Sequence, residues 1–448
     1  MDPPNDWYNL LADLDFELPP DLPPPNGAAG GLSPQIPLSL IRQELSTKRW
    51  IAIPDDVVAR FRQWRPTPLR RARELEAALG TRATILYKYE GANMAGSHKL
   101  NTAVAQAYYY KAAGTKRLAV ATGAGQWGTA IAEGCRMFDL GCRVYMVRKS
   151  YEDKPYRKTI MEMLGAEVVP SPSEETETGR RFLAEGQSSG TLSIALAEAM
   201  EETLVEGTRF CAGSAETYSM LHQTVVGLEA MAQCSELGAW PDVVVAGVGA
   251  GSNLAGIAFP FLGRALTGEG PEVRLLSVEP AACPKLTKGR YAYDYTDSSE
   301  QTPLQKMYTL GSRFTPPSMH AGGLRYHATG KLISALYDRG MIDAVAYRQQ
   351  EVFASGTIFA RCEGIVPAPE SAHAVHGAVV AAREADERGE SPTILVSLSG
   401  HGLFDMSAYE AYSNGTLDDV EVTDETIEES LAQLPEVAEP VASAGRRG

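Results

Sequence analysis

The chain has 448 residues, too many for one small core and enough for two domains that share a cleft. Hydrophobic residues make up 44% and charged residues 22%, the balance of an ordinary soluble globular protein. With 41 basic and 56 acidic side chains the net charge is −15, which repels nucleic acid and anionic lipid and sets aside a basic-patch binder.

No apolar run approaches the ~20 residues that a membrane helix needs. The acidic start, Met1-Asp-Pro-Pro-Asn-Asp, has no basic region followed by an apolar stretch, so it does not read as a secretory signal. Cys135, Cys142, Cys211, Cys234, Cys283 and Cys362 form no C-x-x-C pair. That spacing argues against a zinc site and a disulfide framework, and it suits a reducing cytoplasm.

Residues 1–45 read as an extended arm. The segment to about Gln35 is rich in Pro, Asp and Gly, and Trp7, Tyr8 and Leu10 are its candidate anchors. Beyond it, apolar β runs alternate with helical ones. Ala83–Lys88 reads as strand, Asn101–Ala112 as helix, Arg117–Ala121 as strand and Thr129–Phe138 as helix. Strand Arg143–Val147, helix Tyr156–Leu164 and strand Glu167–Val169 follow. Later come strand Asp242–Ala246, helix Leu254–Leu262, strand Val273–Val278, helix Glu370–Ala385 and strand Thr393–Leu398. The end is acidic, with a short helix expected over Thr426–Leu434 and fraying from Ala442.

Apolar strands between helices predict an α/β fold of doubly wound parallel sheets covered on both faces. The expected division is a large α/β domain of 46–97 and 217–415, a smaller mobile one of 98–216, and an acidic tail of 416–448. Ligands in such folds sit beyond the C-terminal ends of strands.

Two loops at such ends are glycine-rich. Thr122-Gly-Ala-Gly-Gln-Trp-Gly128 and Gly247-Val-Gly-Ala-Gly-Ser-Asn253 each open a helix, where bare backbone N–H groups and the helix dipole attract an anion. Gly123-Ala-Gly125-Gln-Trp-Gly128 also fits the dinucleotide pattern G-x-G-x-x-G, so the glycines alone leave a nicotinamide cofactor and another phosphate-bearing cofactor evenly matched. A single lysine decides between them. Lys99, between His98 and Asn101, starts an apolar helix, where a cation is electrostatically unfavourable. A lysine so placed has a lowered pKa and can form a Schiff base, as pyridoxal phosphate requires. In the last strand–loop, Ser399 followed by Gly400 offers a neutral hydrogen bond to a pyridine nitrogen.

Together these segments resemble the β chain of tryptophan synthase, and more closely the second, stand-alone-like type of that family. The likeness runs from Trp7 to about Tyr412. It is carried by Arg65-Pro-Thr-Pro-Leu69, Gly96-Ser-His-Lys-Leu-Asn101, the two glycine loops, Gly322-Gly-Leu-Arg-Tyr-His327, Glu363-Gly-Ile-Val-Pro-Ala-Pro-Glu-Ser-Ala-His373 and Leu398-Ser-Gly-His-Gly402. The resemblance implies a fold-type-II pyridoxal 5'-phosphate enzyme. It implies that Lys99 carries the cofactor and that His98 and Asn101 lie beside it. Gly249, Ala250, Gly251, Ser252 and Asn253 would take the phosphate, and Ser399 and Gly400 would meet the ring. Glu363 would be catalytic at the cofactor's oxygen side. Thr122, Gly123, Ala124, Gly125, Gln126 and Trp127 would hold the substrate. It further implies a monovalent cation, a homodimer and, in some arrangements, an indole-supplying subunit.

The implied reaction is β-replacement on serine or an activated serine through an aminoacrylate, with indole as first-choice nucleophile and L-tryptophan as product. Two places depart from the family pattern: Gly91-Ala-Asn-Met differs from the more usual residues ahead of the lysine, and Ala121 stands where the resemblance expects a glutamate acting as acid and base. The loss of such a group is worth about 10²–10⁴-fold in rate. Three readings follow: a donor with a better leaving group such as O-phosphoserine, a nucleophile other than indole, or a silent cofactor-binding partner. His320, His327, Arg325 and Lys149 are basic groups available to a different donor. The segment Tyr145–Gly207 is expected to close over the cleft.

Overall fold

The computed structural model describes residues 2–24, 36–213, 215–297, 300, 302–317 and 319–437. Two sheets organise it. The larger has six strands in the order Asp343–Tyr347, Arg274–Pro280, Val243–Gly247, Thr393–Leu398, Thr84–Tyr89 and Leu69–Arg71, all parallel except the last. The smaller has four parallel strands in the order Glu167–Ser171, Gly141–Val147, Arg117–Thr122 and Thr208–Phe210. The central strands are buried on both faces, Val243–Gly247 along its whole length, because helices cover them from both sides. The fold is the expected α/β arrangement of parallel sheets.

The structure adds strands at sheet edges. Leu69–Arg71 and Thr208–Phe210 are only three residues long and include arginines, and Asp343–Tyr347 is exposed or half-buried along its length with an apolar run of only Ala344–Tyr347, so their patterns mark them weakly. The N-terminal arm is partly regular as well. Asp6–Tyr8 pairs antiparallel with Trp50–Ala52, Trp7 is fully buried, and Leu38–Glu44 is helical although it falls inside the expected arm. The C-terminal helix runs Asp424–Leu431, starting earlier than expected because Thr423 caps it by accepting from Thr426 N. Its Ile427 and Leu431 pack with Val422 onto Cys283, Leu310 and Phe314, so this part of the acidic tail belongs to the body of the molecule. The expected fraying from Ala442 lies outside the described residues.

One buried ion network fixes the floor on which the site is built. Arg65 donates from Nε to Glu229 (2.8 Å) and from Nη1 to Glu90 (3.0 Å), while Lys88 Nζ reaches Glu229 (2.9 Å). All four side chains are fully buried, and their charges cancel. The network ties the end of strand Thr84–Tyr89 to helices Lys99–Ala112 and Val225–Leu237. Burial alone raises the Glu90 carboxyl, but Arg65 and then Lys88 and Thr67 overcome that and hold it at about 2. Its contribution is therefore present above the ordinary carboxylate pKa and fades as pH falls toward 2. Removing one partner strands a buried charge, so Arg65→Met is expected to cost about 3–5 kcal/mol, read as a lower urea midpoint at pH 7. An unchanged midpoint would show that the network adds nothing to stability.

Candidate active site

The C-terminal ends of both sheets open onto one cavity of about 860 Å³, lined by Lys99, both glycine loops and Ser399. Lys99 is held there by its neighbours' backbone. His98 N donates to Ser399 O (2.8 Å), and His401 N donates to Gly96 O (3.1 Å). Gly96 is required at this crossing. Its φ of +68° suits glycine, and a Cβ would come within 2.5 Å of the His401 ring. Lys99 is the first residue of helix Lys99–Ala112. Its amine has no hydrogen bond or ion pair among the described residues. Burial lowers its pKa, Glu370 opposes that, and Arg157 adds to it.

The 247–253 loop is a shaped cradle. A Cβ on Gly249 would lie 2.3 Å from Gly323 O, and Gly251 has a φ of +118° at the start of helix Ser252–Leu266. Asn253 braces the loop, donating to Gly247 O (3.0 Å) and accepting from Ser397 Oγ (2.8 Å). Gly249, Ala250, Gly251, Ser252 and Asn253 all line the cavity. Ser399 and Ser371 hydroxyls lie 2.9 Å apart, and Ser371 also accepts from Gly400 N (2.9 Å). His98 is buried with neither ring nitrogen partnered, and burial first, then Lys99, push its pKa down to about 3. A neutral imidazole beside an unpartnered amine, facing a backbone cradle, suits a phosphorylated aldehyde.

Thr122, Gly123, Ala124, Gln126 and Trp127 line the opposite wall. Gly125 does not. It turns the chain at φ +95° and lies against the Arg157 side chain. Two further expectations are corrected. Asn101 is fully buried in the Arg65 network, accepting from Arg65 Nη1 (2.7 Å) and donating to Glu90 and Gln223, so its polar groups are committed away from the cavity. Glu363 ends helix Gln349–Glu363 on the far side and accepts from Leu75 N (3.0 Å), outside the cavity lining.

The carboxylate that does face Lys99 is Glu370. Its Oε1 accepts from Gln126 Nε2 (2.6 Å) and from Gly323 N (2.7 Å), and its Oε2 is buried without a partner. It thus joins the Gln126 loop to the Gly322–Leu324 turn. Sequence reasoning chose the glutamate that opens the motif. The available signal was Pro369 before Glu370, a helix start at which an acid is favoured.

Cations gather at the cavity mouth. Lys154 (2.6 Å) and Arg157 (3.3 Å) share Asp405, and Lys149 pairs with Asp153. Arg157 is almost fully buried, yet its Nε and Nη1 have no partner. Arg325 lines the same space with no carboxylate in ion-pair contact among the described residues, and burial lowers its pKa. His320 and His401 also face the cavity. His327 does not, since its Nε2 is 3.0 Å from Tyr295 O and close to Asp294. No group of His, Cys, Asp and Glu among the described residues could hold a metal ion. No helix among them is long and apolar enough to cross a membrane.

Comparisons with known proteins agree with this geometry. Residues 61–400 match the model of the family described as pyridoxal-phosphate dependent enzyme. Tryptophan synthase beta chain 2 of Aquifex aeolicus is 51% identical over 425 residues, covering 93% of this chain and 98% of the relative. That of Methanosarcina acetivorans is 50% identical over 419 residues, covering 92% and 95%. Among solved structures, a threonine deaminase from T.th. aligns with a TM-score of 0.51 and 23% identity, over 77% of this chain and 97% of that one, which bears on the fold alone. The cradle gives a direct check. Gly249→Ala pushes a methyl against Gly323 O, so pyridoxal phosphate affinity is expected to fall about tenfold or more by absorbance titration. Unchanged affinity would place the phosphate elsewhere.

Proposed function

We propose, for a chain that belongs to the tryptophan synthase β chain family of pyridoxal-phosphate dependent enzymes, that it replaces the β substituent of serine, or of an activated serine such as O-phosphoserine, with a small nucleophile. Indole is the first choice and L-tryptophan the product. The observation that carries this reading is one unpartnered amine, Lys99, in a cavity with two glycine-lined helix starts.

Bound pyridoxal phosphate supplies an aldehyde that engages amines and a ring that draws electrons from an amino acid's Cα. Lys99 would anchor it, the 247–253 loop would take its phosphate, and Ser399 would face its ring nitrogen with a neutral hydrogen bond. The freed Lys99 amine then removes the Cα proton and later returns it. Burial favours this role because it raises the neutral fraction of that amine at neutral pH. The N–H groups at the start of helix Gln126–Met137 would hold the substrate carboxylate. Glu370 keeps that loop against the Gly322–Leu324 turn, so the two walls stay in register. Closure of residues 145–207 would exclude water. A homodimer and a monovalent cation belong to the same reading.

The donor is where this cavity speaks most specifically. Ala121 cannot protonate a leaving hydroxyl, whereas a phosphate leaves without such help. Arg157, with Nε and Nη1 free of hydrogen bonds among the described residues, and Arg325, with no carboxylate partner among them, suit a dianionic leaving group. Ala121 equally favours a second reading, in which another ring nucleophile replaces indole.

Product analysis by mass spectrometry, with serine, O-phosphoserine and threonine each offered alongside indole and other nucleophiles, tests the proposal. Tryptophan from serine or O-phosphoserine is the expected result. Arg157→Met should raise KM for O-phosphoserine about tenfold or more, and that for serine far less. If Lys99 binds the cofactor but no donor reacts, the chain is a silent cofactor-binding partner instead.

A further inference from the structure

Ala121 belongs to an apolar wall. With Leu192, Leu196, Met200, Phe210 and Ala212 it lines one side of the cavity, and none of these side chains can move a proton. Strands Arg117–Thr122 and Thr208–Phe210 pair in parallel, with Ala119 opposite Phe210 and Cys211 N donating to Ala119 O (3.0 Å). Past Ala212 the chain turns at Gly213, whose φ is +114°, and Gly213, Ala215 and Glu216 also line the cavity.

Five carboxylates line the cavity among the described residues: Asp21, Asp153, Glu216, Asp297 and Glu370. Four are engaged. Asp21 pairs with Lys331 (3.2 Å), Asp153 with Lys149 (2.9 Å), Asp297 accepts from Thr302 N (3.0 Å), and Glu370 holds Gln126 and Gly323. Among the described residues, Glu216 has neither a hydrogen bond nor an ion pair to its carboxylate. Lys331, the cation that acts on it, is already taken by Asp21 and by Glu44 (3.7 Å). The other titratable groups acting with Glu216 are Tyr110, Tyr218 and Tyr326, all buried phenols whose pKa values are pushed up.

We propose that Glu216 is the acid–base group for the incoming nucleophile, and that the cavity selects an aromatic ring carrying an N–H or O–H aimed at it. This rests on the β-replacement reading above. The nucleophile's N–H or O–H bond breaks and its proton passes to the Glu216 carboxylate. The electron pair left on the ring forms the new bond to the donor's Cβ, from which the leaving group has already departed with its own pair. The ring carbon that has bonded then gives up its own hydrogen as a proton and the ring nitrogen or oxygen takes one back, which restores the aromatic ring; the one proton released overall goes to solvent or to the departed group, so donor and nucleophile give product and the protonated leaving group. Burial first and then Glu44 raise the Glu216 pKa to about 7, with Lys331 opposing. The carboxylate is therefore the base above neutrality and is lost below it.

The test uses the holoenzyme with indole and with phenol, and rapid mixing to isolate the addition step. In the unmodified protein its rate should climb through about pH 7 to a plateau. In Glu216→Gln it should fall about 10²–10⁴-fold and lose that limb, while Glu216→Asp keeps a limb. A readout without turnover is carbon-13 NMR of glutamate carboxyls: one resonance should titrate near neutrality and be missing in Glu216→Gln. If the limb and the rate survive in Glu216→Gln, or no glutamate titrates there in the unmodified protein, the assignment is overturned. If neither nucleophile reacts with any donor although that carboxyl titrates, it is the β-replacement reading that fails.

Discussion

The molecule depends on a backbone crossing. Residues 96–98 and 399–401 meet at an isolated antiparallel bridge, with Ser97 and Gly400 paired and hydrogen bonds running both ways. This crossing sets the amine of Lys99 beside the end of strand Thr393–Leu398 and, through that strand, beside the cradle at the end of Val243–Gly247. Parallel strands make the crossing useful, because they bring several loops to the same edge of one sheet. Glycine makes it possible: a side chain at position 96 would strike His401, and one at 400 would strike Gly96 O.

Burial then divides the polar groups into two kinds. Beneath the crossing, Arg65, Lys88, Glu90 and Glu229 pair with one another and bond to Thr67, Asn101 and Gln233, which makes a fully partnered floor. Above it, Lys99, His98, Arg157 and one oxygen of Glu370 are desolvated without full partners. That state is costly for a structural residue and normal for one that waits for a ligand. The contrast marks the boundary between scaffold and site more sharply than exposure does.

Much of this was legible in the residues. The strand cores, both glycine loops, Lys99 and Ser399 announce themselves through apolar runs and through glycines at strand ends. Three of the four edge strands of these sheets did not, because an edge strand can be short, charged or half-exposed. Asn101 and Glu363 show a different limit. Both sit in the right motif, yet an asparagine two positions from the lysine points back to Arg65, and a glutamate seven positions before Glu370 ends on the other side of a helix–turn–helix. A motif fixes the neighbourhood of a side chain, and helical phase decides its direction. Glu216 carried no local signal at all. Its place follows from a turn at Gly213 and from Lys331 being occupied by two other acids, both of which are facts of three-dimensional packing.

The claim on which the account stands is that Lys99, of all the lysines, is the amine that takes the cofactor. Reducing the holoenzyme with borohydride and mapping its peptides by mass spectrometry tests that most directly. A phosphopyridoxyl group on the peptide containing Lys99, and on no other, is the predicted result. The same group on Lys88, Lys285 or a surface lysine would contradict it.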